Sequence, residues 1–337
     1  MPHMTRITAV FIAMQLCVPS FVQAREGCSI QVKANEKISA LEVEDRLGRI
    51  PQIGRSIRIA FVTQSTADPF WIEVIKGLQS EAEQRGAVVD VIAPRDRSSR
   101  EEQLSVAIAA LQAKPDALIV APINSTNLLP ALERARTTGI PTIMLNLPLQ
   151  GADVYVGTSH SELGAKAAEY FHELFPSGAQ VAQIEGLAES PHTQHRGKGF
   201  VETLRNTRNL TLVSSRAADW DFERARQITI EMLKANPGIR AIYAHADVMA
   251  LGAVQALREI DRTDVVVVGT DATRQAKQSI AEGGMRATAA QFPAEEGRTA
   301  IRIATRLLGC QTVPAWVVSP QSLITPESLP DYNTANN

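Results

Sequence analysis

The sequence carries little net charge, few cysteines and none of the short motifs that mark common catalytic classes. Its 34 Lys and Arg residues against 36 Asp and Glu leave a formal charge of −2, so there is no basic field to hold nucleic acid or an anionic membrane surface. It has no low-complexity tract and no short-period repeat, which argues against solenoid arrays and compositionally biased linkers. No G-x-S-x-G elbow, P-loop or H-E-x-x-H pattern occurs, and without them there is no sequence basis for a serine hydrolase, a nucleotide-phosphate cradle or a zinc protease. Ser190, His245 and Asp247 are too scattered to suggest a triad. His192 and His195 would share one face of a helix, but no third ligand lies at a suitable spacing, and no metal or cofactor is expected. Gly197-Lys198-Gly199 lacks P-loop spacing and reads as a packing or helix-entry segment.

Long hydrophobic runs are missing too. The mostly apolar stretch Ile7 to Val18 is about a dozen residues, short of the ~20 that span a bilayer. Arg6 ahead of it and the small-x-small Val22-Gln23-Ala24 after it read as a cleaved export signal over 1–24. A buried N-terminal helix would need amphipathic spacing and a cap, and the stretch has neither. Cys17 lies in the apolar run, and Met14-Gln15-Leu16 lacks the small residues of a lipid-attachment site. Export leaves Cys28 and Cys310, which in an oxidising compartment either pair or persist as thiols.

What the sequence does have is rhythm. The chain, at 337 residues, suits two domains. Residues 25–56 are polar, without a sustained apolar period, and read as an irregular N-terminal arm. From Ile57, short β-branched runs (57–63, 88–93, 117–121, 141–146, 154–157) alternate with amphipathic stretches. A second series (179–186, 211–215, 239–245, 264–269) follows. Apolar runs without strict alternation suit strands buried on both faces. Two successive βα series predict two doubly wound parallel-sheet α/β lobes.

In such sheets a ligand sits beyond the carboxyl ends of the strands, so the residues just after each run are the ones to inspect. The first run ends in Gln64, Asp68, Phe70 and Trp71, and the fourth in Asn146. In the second series the ends carry Glu185, Asp219-Trp220-Asp221, His245-Ala246-Asp247 and Asp271; Arg196 lies in a helix start, and Gln291 follows the last strand. Aromatic faces beside hydrogen-bonding side chains suit a sugar, whose C–H faces are apolar and whose edges are hydroxyls. Phe70 and Trp71 read equally well as core residues of the next helix.

The stretch from Ile59 to about Leu308 resembles the type I periplasmic binding proteins of the ribose and allose kind. The resemblance rests on Asp68-Pro69-Phe70-Trp71, Ala218-Asp219-Trp220-Asp221, Met249 to Ala253, Val268-Gly269-Thr270-Asp271 and Ala290-Gln291-Phe292-Pro293, in family order and spacing. It implies two lobes joined by strand crossovers near Thr158 and Gln291. The implied partition is an N-terminal lobe over 57–158 and 292–312, a C-terminal lobe over 159–291, and a crossover and tail over 313–337. Carried over by position, the ligand contacts fall on Gln64, Asp68, Phe70, Trp71, Asn146, Arg196, Trp220, Ala246, Asp271 and Gln291.

Several positions depart from the ribose pattern. Asp68 stands where an asparagine is usual, Asn146-Leu147 where an aspartate and an arginine are found, and Ala246 where an asparagine is. A close copy of a ribose binder is therefore not expected, because each change alters a hydrogen bond to the sugar edge. The implied function is capture of a sugar or polyol in the periplasm for an ABC permease, with no catalysis. The alternative is a sensor signalling to a membrane histidine kinase. A weaker resemblance to trimethylamine-N-oxide-sensing binding proteins, in the arm and the Asp68–Trp71 segment, supports it. In that case acids beside aromatic faces would hold a cationic ligand, although His160 and Asp271 stand where that family presents aromatic residues. Asp68 and Asp271, one from each lobe, are expected to meet on closure, with Arg196 as the nearest compensating charge. A lactose-repressor-type regulator is excluded, because no basic helix pair precedes Ile57.

Overall fold

The computed structural model describes residues 29–147, 150–207 and 209–336. The first part of the chain forms β1 (Val32–Ser39), a short 3-10 turn (Ala40–Glu42), α1 (Val43–Leu47), β2 (Ile57–Val62), α2 (Pro69–Gln84), β3 (Ala87–Ile92), α3 (Arg100–Gln112), β4 (Ala117–Val120), α4 (Leu129–Thr137), β5 (Thr142–Leu145) and β6 (Val154–Gly157). It continues with α5 (His160–Leu174), β7 (Ala179–Glu185), α6 (Pro191–Asn206), β8 (Leu210–Ala217), α7 (Phe222–Ala235), β9 (Ile239–Ala244), α8 (Asp247–Glu259), β10 (Val266–Asp271), α9 (Arg274–Ala281) and β11 (Ala287–Ala290). It ends with α10 (Pro293–Leu308), β12 (Val313–Val318), β13 (Ser322–Ile324) and α11 (Leu329–Asn336).

The strands assemble into two sheets. One has the order β1-β12-β6-β5-β4-β2-β3 and the other β13-β11-β10-β9-β7-β8. All pairings are parallel except β11 with β13. Helices cover both faces of each sheet, which is why β4, β5 and β6 are buried at every position. Local chemistry starts the helices. Ser99 and Ser159 accept the amides of Glu102 and Glu162 at 3.2 and 3.4 Å, the N-cap half of a Ser-x-x-Glu start.

Three connections pass between the sheets: β6 to α5 through Thr158, β11 to α10 through Gln291, and β12 to β13 through 319–321. They are laced together. Tyr155 donates its hydroxyl to the Thr158 carbonyl (2.7 Å), Thr158 donates to Gln321 (3.2 Å), and the Trp316 indole donates to the Gly157 carbonyl (3.2 Å). In each lobe two helices meet backbone to backbone. A Cβ on Gly164 of α5 would come within 2.0 Å of the Arg196 carbonyl oxygen, and one on Gly199 of α6 within 1.9 Å of the Ser161 carbonyl oxygen. Gly199 thus has the packing role its sequence context suggests, and it sets the distance between the helices that carry His160 and Arg196.

The arm differs from the sequence reading. Residues 32–39 form a strand parallel to β12 (Val32 opposite Val313), with a shift of register between Lys33 and Lys37. Alternation is weak because β1 is an edge strand whose exposed positions are polar, so the apolar period that reveals inner strands never develops. Likewise 313–318 completes the first sheet instead of serving only as crossover and tail. The arm is fastened by Arg306 of α10, which is fully buried. It donates to the Gly48 carbonyl (2.7 Å) at the end of α1 and to Gln311 (2.7 Å).

Cys310 is disulfide-bonded; residues 1–24, expected from the sequence to be an export signal, and Cys28 lie outside the described residues. The parallel pairing of β1 with β12 brings Gln31 against Val313 (3.1 Å), which favours Cys28 over Cys17 as the partner. Peptide mapping of unreduced, exported protein should return a Cys28–Cys310 cross-linked peptide. Recovery of Cys28 as an alkylatable thiol would exclude this pairing.

Candidate functional site

The carboxyl ends of both sheets face one cleft between the lobes. It encloses about 670 Å³ of space, counting the part open to solvent. All ten positions expected to face a ligand line it; nine of them, Gln64, Asp68, Phe70, Trp71, Asn146, Arg196, Trp220, Asp271 and Gln291, are polar or aromatic. The tenth, Ala246, supplies no polar side chain. Sequence reading missed Arg97, Ser190, His192 and Thr273, which share the same cavity. Other strand-end residues serve the scaffold. Glu185 accepts from Gln183, Asp221 caps α7 through the Arg224 amide, and His245 and Asp247 are fully buried behind the cleft wall.

In the N-terminal lobe the loop after β2 is fixed from below. The buried Gln103 amide donates to the carbonyls of Thr63 (3.1 Å) and Ala121 (2.9 Å) and accepts from the Ile123 amide (3.0 Å), tying the exits of β2 and β4 together. Gln64 donates to the Pro122 carbonyl (2.7 Å). Asp68 caps α2 by accepting the Phe70 amide at 3.0 Å. Trp71 is mostly core: it is 5% exposed, edge-on to Phe70 and tilted against Phe61. Phe70 is less enclosed. The alternative left open by the sequence therefore splits between the two rings.

In the C-terminal lobe Trp220 lies against Gly186, where any Cβ would sit 2.1–2.3 Å from the indole ring. Non-glycine residues with left-handed backbone cluster at this cleft: Asn146 (φ 64°), Asp219 (φ 53°), Trp220 (φ 65°), Asp271 (φ 118°) and Ala272 (φ 60°). Such conformations cost about 1–3 kcal/mol each and persist only where surrounding structure imposes them. Here the group that holds 271–273 is the buried Asp247 side chain, whose oxygens accept from the Thr273 amide and the Thr288 hydroxyl, both at 2.7 Å.

Between the lobes lies a buried polar network centred on Asn146. Its side-chain amide donates to Gln291 (2.9 Å) and Glu296 (2.8 Å). With two acceptors on that side, the amide oxygen faces His192, whose Nε2–H donates to it at 2.9 Å. His160 Nε2–H donates to the Asn146 carbonyl, and its Nδ1 accepts from Arg196 Nε at 3.3 Å. Both imidazoles are thus neutral Nε2–H tautomers. Arg196 goes on to bond the His245 carbonyl and the Asp271 carboxylate (3.2 Å), which also accepts from Gln291 (2.7 Å).

Burial sets the protonation of this network. Desolvation, aided by Arg196 and His195, holds His192 down to about 3, and desolvation with the same neighbours and His192 keeps His160 well below its usual range. Burial pushes Glu296 up to about 8, so it is a neutral acid at pH 7. Burial also raises Asp271 to about 6; Arg196 opposes the rise, and Asp68 across the cleft adds to it. The mutual repulsion expected of the two acids is present, but smaller than desolvation. Among the described residues no group of three or more His, Cys, Asp or Glu could hold a metal.

Two measurements test this site. Gly186→Ala should displace the Trp220 ring and cost ligand affinity at least tenfold while the fold persists. Trp71→Ala should instead cost about 3–5 kcal/mol of stability, as for a core aromatic; equal effects of Gly186→Ala and Trp71→Ala on melting temperature would contradict the division. The second concerns pH. His192 faces Arg196, His195 and His160, and contacts Asn146 of the other lobe. A histidine held below its ordinary 6.5 in the closed state destabilises closure as pH falls through 6.5. Affinity measured by calorimetry should therefore drop from pH 7 to pH 5, and His192→Gln should flatten that slope. An unchanged slope in the variant would assign it to His160, which burial also holds below its ordinary value; Asp271, whose pKa is raised in the closed state, would give a slope of the opposite sign.

The family signature of the periplasmic binding protein domain matches residues 59–311. The D-allose-binding periplasmic protein of Escherichia coli K12 is 33% identical over 255 residues, covering 72% of this chain and 82% of that protein. The ribose import binding protein of Bacillus subtilis 168 is 29% identical, covering 80% and 88%. Among solved structures, an ABC transporter periplasmic solute-binding protein from Actinobacillus succinogenes 130z with bound D-allose is similar at a TM-score of 0.79 and 27% identity, covering 82% of this chain and all of that one. The interlobe cleft, the crossover topology and these matches agree: this chain is a member of the periplasmic binding protein family.

Proposed function

We propose that the protein captures an uncharged sugar or polyol between its two lobes in the periplasm and delivers it to an ABC permease, without chemistry of its own. The observation that carries this reading is the composition of the interlobe cleft. Phe70 from one lobe and Trp220 from the other offer apolar faces, while Gln64, Asn146, Arg196, Asp271 and Gln291 offer hydrogen-bonding edges. The relatives named above bind allose or ribose, and the ribose protein is an import component, which supports transport over sensing. Residues 1–24 serve as the export signal.

The three crossovers act as the hinge. Opening breaks His192 to Asn146, and a ligand that bridges both lobes restores the closed population by its differential affinity. Calorimetry with D-allose, D-ribose and myo-inositol should identify a binder in the micromolar range or tighter, and small-angle scattering should show a smaller radius of gyration at saturation. Failure of all three compounds to bind would refute the ligand class. Binding with no change in radius would refute the hinge.

A further inference from the structure

Resting on that reading, we infer that Arg97 is a specificity-determining residue: it neutralises Asp68 within the N-terminal lobe, so that the cleft selects an uncharged ligand over a cationic one. Arg97 lies in the loop 93–99 between β3 and α3, and both it and Asp68 line the cleft. Its guanidinium stands 3.6 Å from the second carboxylate oxygen of Asp68, the first being committed to the Phe70 amide. The loop is held by its own bonds. Asp96 accepts from the Ser98 amide (2.9 Å) and hydroxyl (2.7 Å), and the Ser99 amide donates to the Asp96 carbonyl (2.9 Å).

The charges then balance lobe by lobe. Asp68 has Arg97, and Asp271 has Arg196, each pair within a single lobe. Both pairs therefore persist when the cleft opens, and closure does not bring together two bare carboxylates. A cation has no uncompensated acid to meet, and a second positive charge would face two arginines. By contrast Arg100, three residues further on, pairs with Glu189 of the opposite lobe at 3.0 Å, so it contributes only to the closed state. Arg97 is half exposed, so its contribution is screened, and salt should weaken it.

The test compares D-allose with D-allosamine in its ammonium form, by calorimetry in low salt, on the wild type, Arg97→Gln, and Arg97→Gln combined with Asp68→Asn. If the neutral ligand proves to be ribose or myo-inositol, the corresponding amino-deoxy compound replaces allosamine. The wild type should prefer the neutral compound. Arg97→Gln should shift the ratio of affinities toward the amine by about fivefold. High salt should reduce the shift, and Asp68→Asn should abolish it. An unchanged ratio in Arg97→Gln, or a shift that survives in the double variant, would overturn the inference while leaving the sugar reading intact. A wild-type protein that binds no neutral member of the panel would overturn both.

Discussion

The cleft depends on one buried amide. Asn146 is 2% exposed, and both of its main-chain polar groups are bonded: its N–H to the Val156 carbonyl (2.9 Å) and its carbonyl to His160. Its side chain is bonded to Gln291, Glu296 and His192. The five partners come from β6, the second crossover, α10, α5 and α6, so one residue joins the first sheet to the hinge and to both helices of the opposite wall. A buried polar group left without a partner costs about 1–3 kcal/mol, so any motion that separates the lobes must rehydrate this node. An aspartate here would replace two donors with acceptors facing Gln291 and the Glu296 carboxyl.

The protonation pattern follows from the same node. Arg196 is buried and positive, and it is the fixed point against which the neighbours titrate. Burial is the main cause that keeps His160 and His192 neutral; Arg196 adds to it, and it favours ionisation of Asp271. Burial keeps Glu296 protonated, against the opposing pull of the Asn146 amide and Arg196. The interior of the hinge is therefore polar, with Arg196 paired to Asp271 and with His160, His192 and Glu296 neutral, which suits a surface that must be wet when open and dry when closed. Asp68 with Arg97 repeats the arrangement at the solvent edge of the other lobe, at greater exposure and with a weaker hold.

The rigidity beneath the site is supplied by small residues. Gly164 and Gly199 let α5 and α6 touch backbone to backbone, as Gly77 and Gly297 do for α2 and α10. This sets the positions of His160, Arg196 and Glu296 without any side chain in between. Gly186 leaves room for the Trp220 indole in the same way, so the orientation of an aromatic wall is decided by the absence of a methyl group just past the end of β7.

The sequence by itself determined the two βα series and the strand ends that would face a ligand, and its family resemblance pointed to ten positions that line the cleft. Burial on both faces forces uninterrupted apolar runs, and parallel winding places every strand end on one side, so those features are local and periodic. What it left undecided depends on distance across the fold. β1 was not legible because an edge strand needs no apolar face. Whether Trp71 or Phe70 was core depended on Phe61 behind it. His192 could be read only as half of a metal pair until Asn146, 46 residues away along the chain, supplied its partner. Arg97 carried no signal at all, since a surface arginine in a polar loop looks the same whether it meets water or Asp68. The tertiary structure decided these because hydrogen bonds and ion pairs are set by partners brought together in space, while periodicity records only which face is dry.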